Sequence, residues 1–556
     1  MWAAIAMSLV GAFAVPAASA ASSAKVTGPG TGPQPAGLGM GSSAALGQKT
    51  CNPNGRTSFN TVGGGPFCVN PWPAGKNNGG ATAPGVTATS VKVVLYVTNS
   101  QGNTSTSGTS APMNLATGAT GTPDAAISDF LAMYNYANTT LGTYQLWGRK
   151  PDIQIVTASG QDEASQRADA VTVVNMKPFM VFDTTGISTG GAAVFSTAVA
   201  SKKIVVFSAS TTPELGAKLS PYMWNFGADP QAGGPLAAAF VGKTLSGGKA
   251  QYAGDPAFQS KKRTFGVVYP SSGFDLAAFQ ASAKSNGATI AQAVSFDPTD
   301  ASTFSQQVPT MINKLKSSGI TSVILFTPPT FNTPLTKEAT SQSYSPEWVT
   351  TGYQYQDFDA FARLYDQDQW SHAFGMSVLY PYVDGTPPAY INPYTWYFGP
   401  NNATTWGNIT SSLALVWPAM QYAGPTLTAA NLKKGFFSVP AQGGAATGTN
   451  SFQAGYGDTV GMPYPEYAQI GTDFALAWYS ATATVPSQVV GGAAKGGALY
   501  LDNAKRYSYK SVPTSTPKFF DTSNSVATVP LASSYVGGQV PAASPCTGCP
   551  SQGKTS

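Results

Sequence analysis

Hydrophobic positions along the chain fall into two rhythms that alternate. Val91–Val97 is apolar except for Lys92 and predicts a strand. After a Ser/Thr/Gly-rich stretch, Thr122 and Pro123 suit an N-cap and first helical position, and Ile127, Phe130, Leu131 and Tyr134 follow at helical spacing. Strands are then expected at Asp152–Val156, Pro178–Phe182 and Ile204–Phe207, and helices at Ala164–Val174 and Ala192–Ala200. The same grammar restarts at Arg263. Thr264–Val268 reads as a strand, Leu276–Ser285 as a helix and Ala288–Phe296 as a strand. Phe304, Val308, Met311, Ile312 and Leu315 then mark one helical face before the strand Ser322–Phe326. Gly287 and Gly319 stand where left-handed helix stops are needed, and Pro309 predicts a kink or a late start in its helix. Beyond residue 357 helices are expected at Leu413–Tyr422, Ala429–Phe436 and Tyr464–Tyr479.

Alternating strands and helices imply parallel sheets with crossover helices, here an α/β chain of two doubly wound, Rossmann-like lobes. The expected division is 86–229 for the first lobe, with 358–435 returning to it, and 230–357 for the second, with 436–510 returning. In open parallel sheets ligands bind beyond the carboxyl ends of the strands, so two such lobes suit a small molecule held in a cleft between them and buried by hinge closure.

The ends read differently. Residues 1–20 carry no charge, hold an apolar run from Ile5 to Val15 and finish in Ala18-Ser-Ala20, the pattern of a signal peptide and hence of an exported chain. Residues 21–85 read as a low-complexity linker containing Cys51 and Cys68, and 511–556 as a Ser/Pro/Gly-rich tail containing Cys546 and Cys549. In an oxidising compartment four cysteines allow three pairings, of which the local one, Cys51 with Cys68 and Cys546 with Cys549, is the simplest.

Composition narrows the chemistry. Charged residues make up 10% of the 556, against roughly 25% in an average soluble protein. Hydrophobic residues are 42%, so small polar residues have taken the place of charge. No later stretch is apolar enough to span a membrane, and a net charge of +5 is too diffuse to suggest nucleic acid. With one histidine, His372, a multi-histidine zinc site is excluded and no metal or other cofactor is expected.

Several segments, taken in order, resemble the type I solute-binding proteins of ABC importers, in the branched-chain amino acid-binding branch and its long actinobacterial members. They are Asn78-Gly-Gly-Ala-Thr, Gly148-Arg-Lys-Pro, Ser208-Ala-Ser-Thr-Thr-Pro-Glu-Leu215, Tyr252-Ala-Gly-Asp255, His372-Ala-Phe-Gly375 and Tyr422-Ala-Gly-Pro-Thr-Leu427. The resemblance covers about residues 75–510 and implies the type I periplasmic-binding-protein fold, a small-molecule ligand, an ABC permease as partner, no catalysis and a monomer. It also implies that first-lobe hydroxyls and amides hold a ligand carboxylate. The matching positions are Ser188 and Thr189 in one loop and Ala209 and Thr211 in the other, with Asp229 near the first crossing between lobes. Hydroxyls and free amides at strand-to-helix turns suit an anion, although they also serve as ordinary caps.

In the second lobe the pattern departs from amino acid binders. The aromatic expected after its first strand is matched by Phe274 only with a shift, and the acid expected near Gly352 is replaced by Gln354, with Asp357 a near neighbour. A buried ammonium needs a paired carboxylate or strong acceptors. An amide, a carboxylic acid or another polar neutral ligand therefore fits at least as well as an α-amino acid.

Two other readings compete. Gly186-Ile-Ser188-Thr-Gly190 matches the G-x-S-x-G nucleophile elbow, and His372 lies downstream in the chain order of an α/β-hydrolase. With 60 glycines and abundant serine, roughly one such match arises by chance. A surface receptor or adhesin on the same scaffold is the third reading.

Overall fold

In a computed structural model, the chain is described at residues 34–48, 51, 55–56, 66–97, 132–136, 138, 142–160, 162–183, 185, 194–208, 211, 213–225, 230–298, 303–379, 381–384, 397, 416–439, 456, 473–486 and 493–530. The first sheet is formed by β1 (Ser90–Val97), β2 (Lys150–Thr157), β3 (Met180–Asp183), β4 (Val205–Ser208) and β5 (Met223–Asn225). Every pairing in it is parallel, and the order is β2-β1-β3-β4-β5. β3, β4 and β5 are fully buried and β1 nearly so, while the edge strand β2 is partly exposed along its length. One face packs Val93, Leu95, Phe182 and Phe207 against Trp417 and Met420; the other packs Val94, Tyr96 and Val206 against Val173, Phe195 and Val199.

The second sheet repeats this plan. It holds β6 (Phe265–Pro270), β7 (Ile290–Phe296), β8 (Ser322–Leu325), β9 (Glu347–Thr350) and β10 (Ala373–Ser377). These five pair in parallel in the order β7-β6-β8-β9-β10, the same permutation as in the first sheet. β12 (Asp473–Pro486) and β13 (Ala493–Leu501) extend the sheet antiparallel, and β14 (Arg506–Ser508) and β15 (Ser525–Val526) pair with them. β11 (Tyr382–Asp384) and β16 (Thr528–Pro530) form a separate parallel ribbon.

Both glycine stops behave as expected. Gly287 and Gly319 have φ of 102° and 65°. The N–H groups of Ala288 and Ile320 reach back to the carbonyls of Ala283 and Leu315, closing two identical left-handed caps. Pro309 lies inside a helix that runs from Phe304 to Ser317.

Five expectations need correction. The chain does not return to the first lobe at 358, because β10 lies within the second sheet; it returns with the helices Val416–Ala423 and Ala429–Ser438, whose apolar faces close the first core. Gly435 lets these two helices touch, for a Cβ there would fall 2.0 Å from the Tyr422 carbonyl oxygen. The next crossing comes after Tyr456, which still packs in the first core and donates to the Asn225 carbonyl at 3.1 Å. The helix expected at Tyr464–Tyr479 is instead β12 from Asp473 onward. Phe474, Leu476 and Trp478 face one core, Ala475, Ala477 and Tyr479 the other side, and two buried faces hide the period of two.

Neither terminal segment is only linker or tail. Leu38, Met40, Phe67 and Val69 join the first core, Cys51 is bonded to Cys68, and Phe67 exchanges hydrogen bonds with Tyr422 and Gln421. Val512, Phe519 and Val529 are buried, so the second lobe extends to about residue 530. The expected signal peptide and Cys546 and Cys549 lie outside the described residues.

Candidate functional site

In each lobe the strand order reverses between the first and third strands, and the carboxyl ends flanking that switch point are where a doubly wound sheet offers a crevice. In the first lobe this edge is built around Asp183, the last residue of β3, which is 3% exposed. Its Oδ1 accepts the Thr185 N–H at 3.0 Å and the Thr185 hydroxyl at 2.6 Å; its Oδ2 accepts the Ser196 hydroxyl, with Ser208 Oγ at 3.4 Å. Burial raises the Asp183 pKa, and the four donors oppose that rise. One carboxylate thus joins the turn after β3, the helix Val194–Ala200 and the end of β4. Sequence reasoning passed over Asp183; the available signal was a lone acid ending an otherwise apolar strand.

Of the first-lobe ligand positions, Ser188, Thr189, Ala209 and Asp229 lie outside the described residues. Thr211 is described and buried, and its hydroxyl donates inward, to the carbonyls of Trp224 at 3.2 Å and Ser208 at 3.4 Å. Asn225 donates to the Thr211 carbonyl at 3.2 Å, fixing the loop after β4 against the end of β5.

The second-lobe edge is aromatic. Phe274 follows β6 and packs on Phe326 with ring centroids 4.5 Å apart. Tyr269 lies 5.7 Å from Phe274, and Tyr353 6.3 Å from Phe326. Phe326 is fully buried while Tyr269, Phe274 and Tyr353 are half-buried, so the cluster has a sealed floor and a partly open rim. Gln354 is half-buried beside it, with its amide nitrogen 3.3 Å from the Tyr353 hydroxyl. The backbone here is strained. Gln354 and Tyr355 have φ of 44° and 59°, a region that residues with a Cβ rarely occupy and that recurs at ligand clamps. Tyr355 belongs to the opposite side of the sheet, packed against the core that contains Trp348 and Tyr365.

Asp357 does not join the aromatic rim. It is buried among Ser377, Tyr365, Tyr500 and Arg506, on the face of the sheet away from Phe274. His372 sits at the start of β10, the amino end of the parallel strands, with Nδ1 2.9 Å from the Tyr252 carbonyl oxygen. A Cβ on Gly254 would come within 2.8 Å of its ring, so it is a packed histidine held at the end of the sheet opposite the crevice. Among the described residues no group of three or more His, Cys, Asp or Glu side chains could hold a metal ion, and no helix is long and apolar enough to cross a membrane.

No protein-family model and no curated protein matches the chain in sequence. Among solved structures it is similar to the leucine-, isoleucine-, valine-, threonine- and alanine-binding protein of Brucella ovis in its closed conformation, at 11% identity over 77% of this chain and 98% of that one, with a TM-score of 0.47. It is also similar to the solute-binding protein of an ABC transporter from R. palustris in complex with 4-hydroxybenzoate, at 11% identity over 73% and 96%, TM-score 0.44. A third is the fatty acid ABC transporter substrate-binding protein of Thermomonospora curvata, at 16% identity over 78% and 97%, TM-score 0.43. Among the described residues one strand permutation is used twice and the chain changes core three times, the topology of the type I periplasmic-binding-protein fold.

Proposed function

We propose that the protein is an extracytoplasmic solute-binding protein that captures a small polar ligand between its lobes and delivers it to an ABC permease. The observation that carries this reading is the duplicated sheet order, which gives one molecule two switch-point crevices. The solved structures similar to it include an amino acid-binding protein, a solute-binding protein in complex with 4-hydroxybenzoate and a fatty acid ABC transporter substrate-binding protein. In this reading the loops carrying Ser188, Thr189, Ala209 and Thr211 hold the anionic or polar head of the ligand, Asp229 lies beside them, and Phe274, Tyr353 and Gln354 cover its other end. The rim of the second lobe offers aromatic faces and a neutral amide, and Asp357 is turned away from it. That arrangement favours a carboxylic acid or amide over an α-amino acid, since Asp357 is turned away and Asp275, beside Phe274, is engaged in capping the helix Leu276–Ser285.

The binding reading is tested by mass spectrometry of small molecules released from the natively purified protein, followed by re-addition to stripped protein. A ligand at a hundred times its Kd stabilises the native state by about 2.7 kcal/mol, so re-addition should raise Tm by several degrees. A serine-directed fluorophosphonate that labels Ser188, with labelling lost in His372→Ala, would replace binding by hydrolysis.

A further inference from the structure

Residues 505–530 spread over three different strands of the second lobe: β14 pairs with β12, β15 with β13 and β16 with β11. Two of these contacts fall where the chain passes between the cores. After β10 it leaves the second core through Leu379 and β11, and the next described residue, Tyr397, packs against the first core. It comes back after Tyr456, and the next described residue is Asp473, which opens β12.

Arg506 joins the second-lobe ends of both passages. Its Nε and Nη2 donate to Asp473 Oδ1 at 3.1 and 3.0 Å, and Nη2 also donates to the Asp473 carbonyl at 3.2 Å. Its Nη1 donates to the Leu379 carbonyl at 2.8 Å. Arg506 and Asp473 are 3% and 1% exposed. A buried ion pair is a weak source of net stability, because desolvation offsets most of its attraction. What this one adds is position. One rigid guanidinium fork holds the departing chain and the arriving chain together.

β16 carries the hold further along the departing passage. Tyr382–Asp384 pairs in parallel with Thr528–Pro530, and the Tyr382 N–H donates to the Ala527 carbonyl at 3.2 Å. The parallel pattern then directs the Val529 N–H at the Tyr382 carbonyl, while the Thr528 N–H points away. Val529 is itself buried, in the cluster that holds Ala475, Ala477, Ala498 and Tyr500. The fixed end of this passage therefore stands at Asp384 rather than at Leu379. Hinges are a few residues that absorb backbone rotation, so the place of the fixed end decides how much chain is left to turn.

We propose that residues 505–530 brace the hinge. Arg506 pins two passages together on the second lobe, and β16 splints one of them, so that the lobes swing through a narrower range than the bare passages would allow. The brace rests on the two-lobe binding reading, but its test needs no ligand.

Spin labels carried by a non-natural amino acid at exposed Ala168 in the first lobe and Ala281 in the second report the interlobe distance in ligand-stripped, full-length protein by pulsed electron resonance. A second pair, at Ala281 and exposed Lys337, reports the integrity of the second lobe alone. Val529→Pro should widen the interlobe distribution about twofold, Thr528→Pro should leave it near wild type, and the pair within the second lobe should not change in either. Arg506→Lys keeps a charge for Asp473 but loses the fork that reaches Leu379; it should widen the distribution too, and it carries the test if Val529→Pro does not fold. An interlobe width unchanged in Val529→Pro and Arg506→Lys overturns the brace. So does equal widening by Thr528→Pro, or widening matched by the pair within the second lobe. Failure of the binding reading shows separately, as a compound panel that shifts no Tm whatever the widths.

Discussion

Asp183 and Asp357 are both acids buried at a carboxyl edge, and their surroundings differ. Asp183 collects four donors from three elements, whereas both oxygens of Asp357 lack a hydrogen bond of normal geometry. Removing an acceptor from a filled network strands its donors, while removing an unpaired buried charge relieves the molecule. Asp183→Asn should therefore lower stability at pH 7 by about 2 kcal/mol, and Asp357→Asn should raise it, as chemical denaturation midpoints would show. Arg149 gives a third residue-scale case. It is 2% exposed and its guanidinium bonds four carbonyls, of Thr87, Pro425, Asn78 and Gly80, at 2.8–3.0 Å. A lysine has a single ammonium and cannot span those directions, so Arg149→Lys should cost about 3 kcal/mol in the same assay. The resemblance marked Gly148-Arg-Lys-Pro as a motif without saying why; the reason is this fork, which ties Asn78-Gly-Gly and Pro425 to the start of β2.

Four of the five first-sheet strands were legible in the sequence as short runs bounded by turns, while β5, three residues long, and the helix Pro329–Ser341, interrupted by Pro334, were not. The helix Phe304–Ser317 was marked by its five core residues and its glycine stop, all of which hold. β12 was not legible because both its faces are covered, and a run of Phe, Ala, Leu and Trp reads equally as a buried helix. The terminal segments were misjudged for a different reason. Their few large apolar residues, Leu38, Phe67 and Phe519 among them, are spaced by loop residues and leave no period, yet each enters a core. The Cys51–Cys68 bond closes a loop of 17 residues on the first lobe. Loop-closure entropy of that size is worth about 3 kcal/mol, so reduction should lower Tm, and exchange should rise first at 34–70 and 416–423. Protection there that is indifferent to reductant would mean the segment is held by Phe67, Tyr422 and Gln421 alone.

At the scale of the molecule, low charge and a single histidine first served only to exclude metals, nucleic acid and histidine relays. Placing the residues gives these facts a local meaning. The lone histidine is packed at the wrong end of its sheet for catalysis at the crevice. Asp357, the acid two residues beyond Tyr355, faces the interior, and Asp275 beside Phe274 caps the helix Leu276–Ser285, so the rest of the rim is aromatic faces and an amide. The restart of the strand–helix alternation at Arg263 was readable in the sequence; that both sheets share one strand permutation came from the structure. The crossing points were not readable, since they depend on which core each late helix or strand enters. The central claim is that the two lobes close on a small ligand without transforming it. Thermal stability of ligand-stripped protein against a panel of carboxylic acids, amides and amino acids, with each compound recovered and analysed afterwards, tests it most directly. The account predicts that at least one acid or amide raises Tm by several degrees and is recovered unchanged. A panel that shifts nothing, or a compound recovered as hydrolysis products, would contradict it.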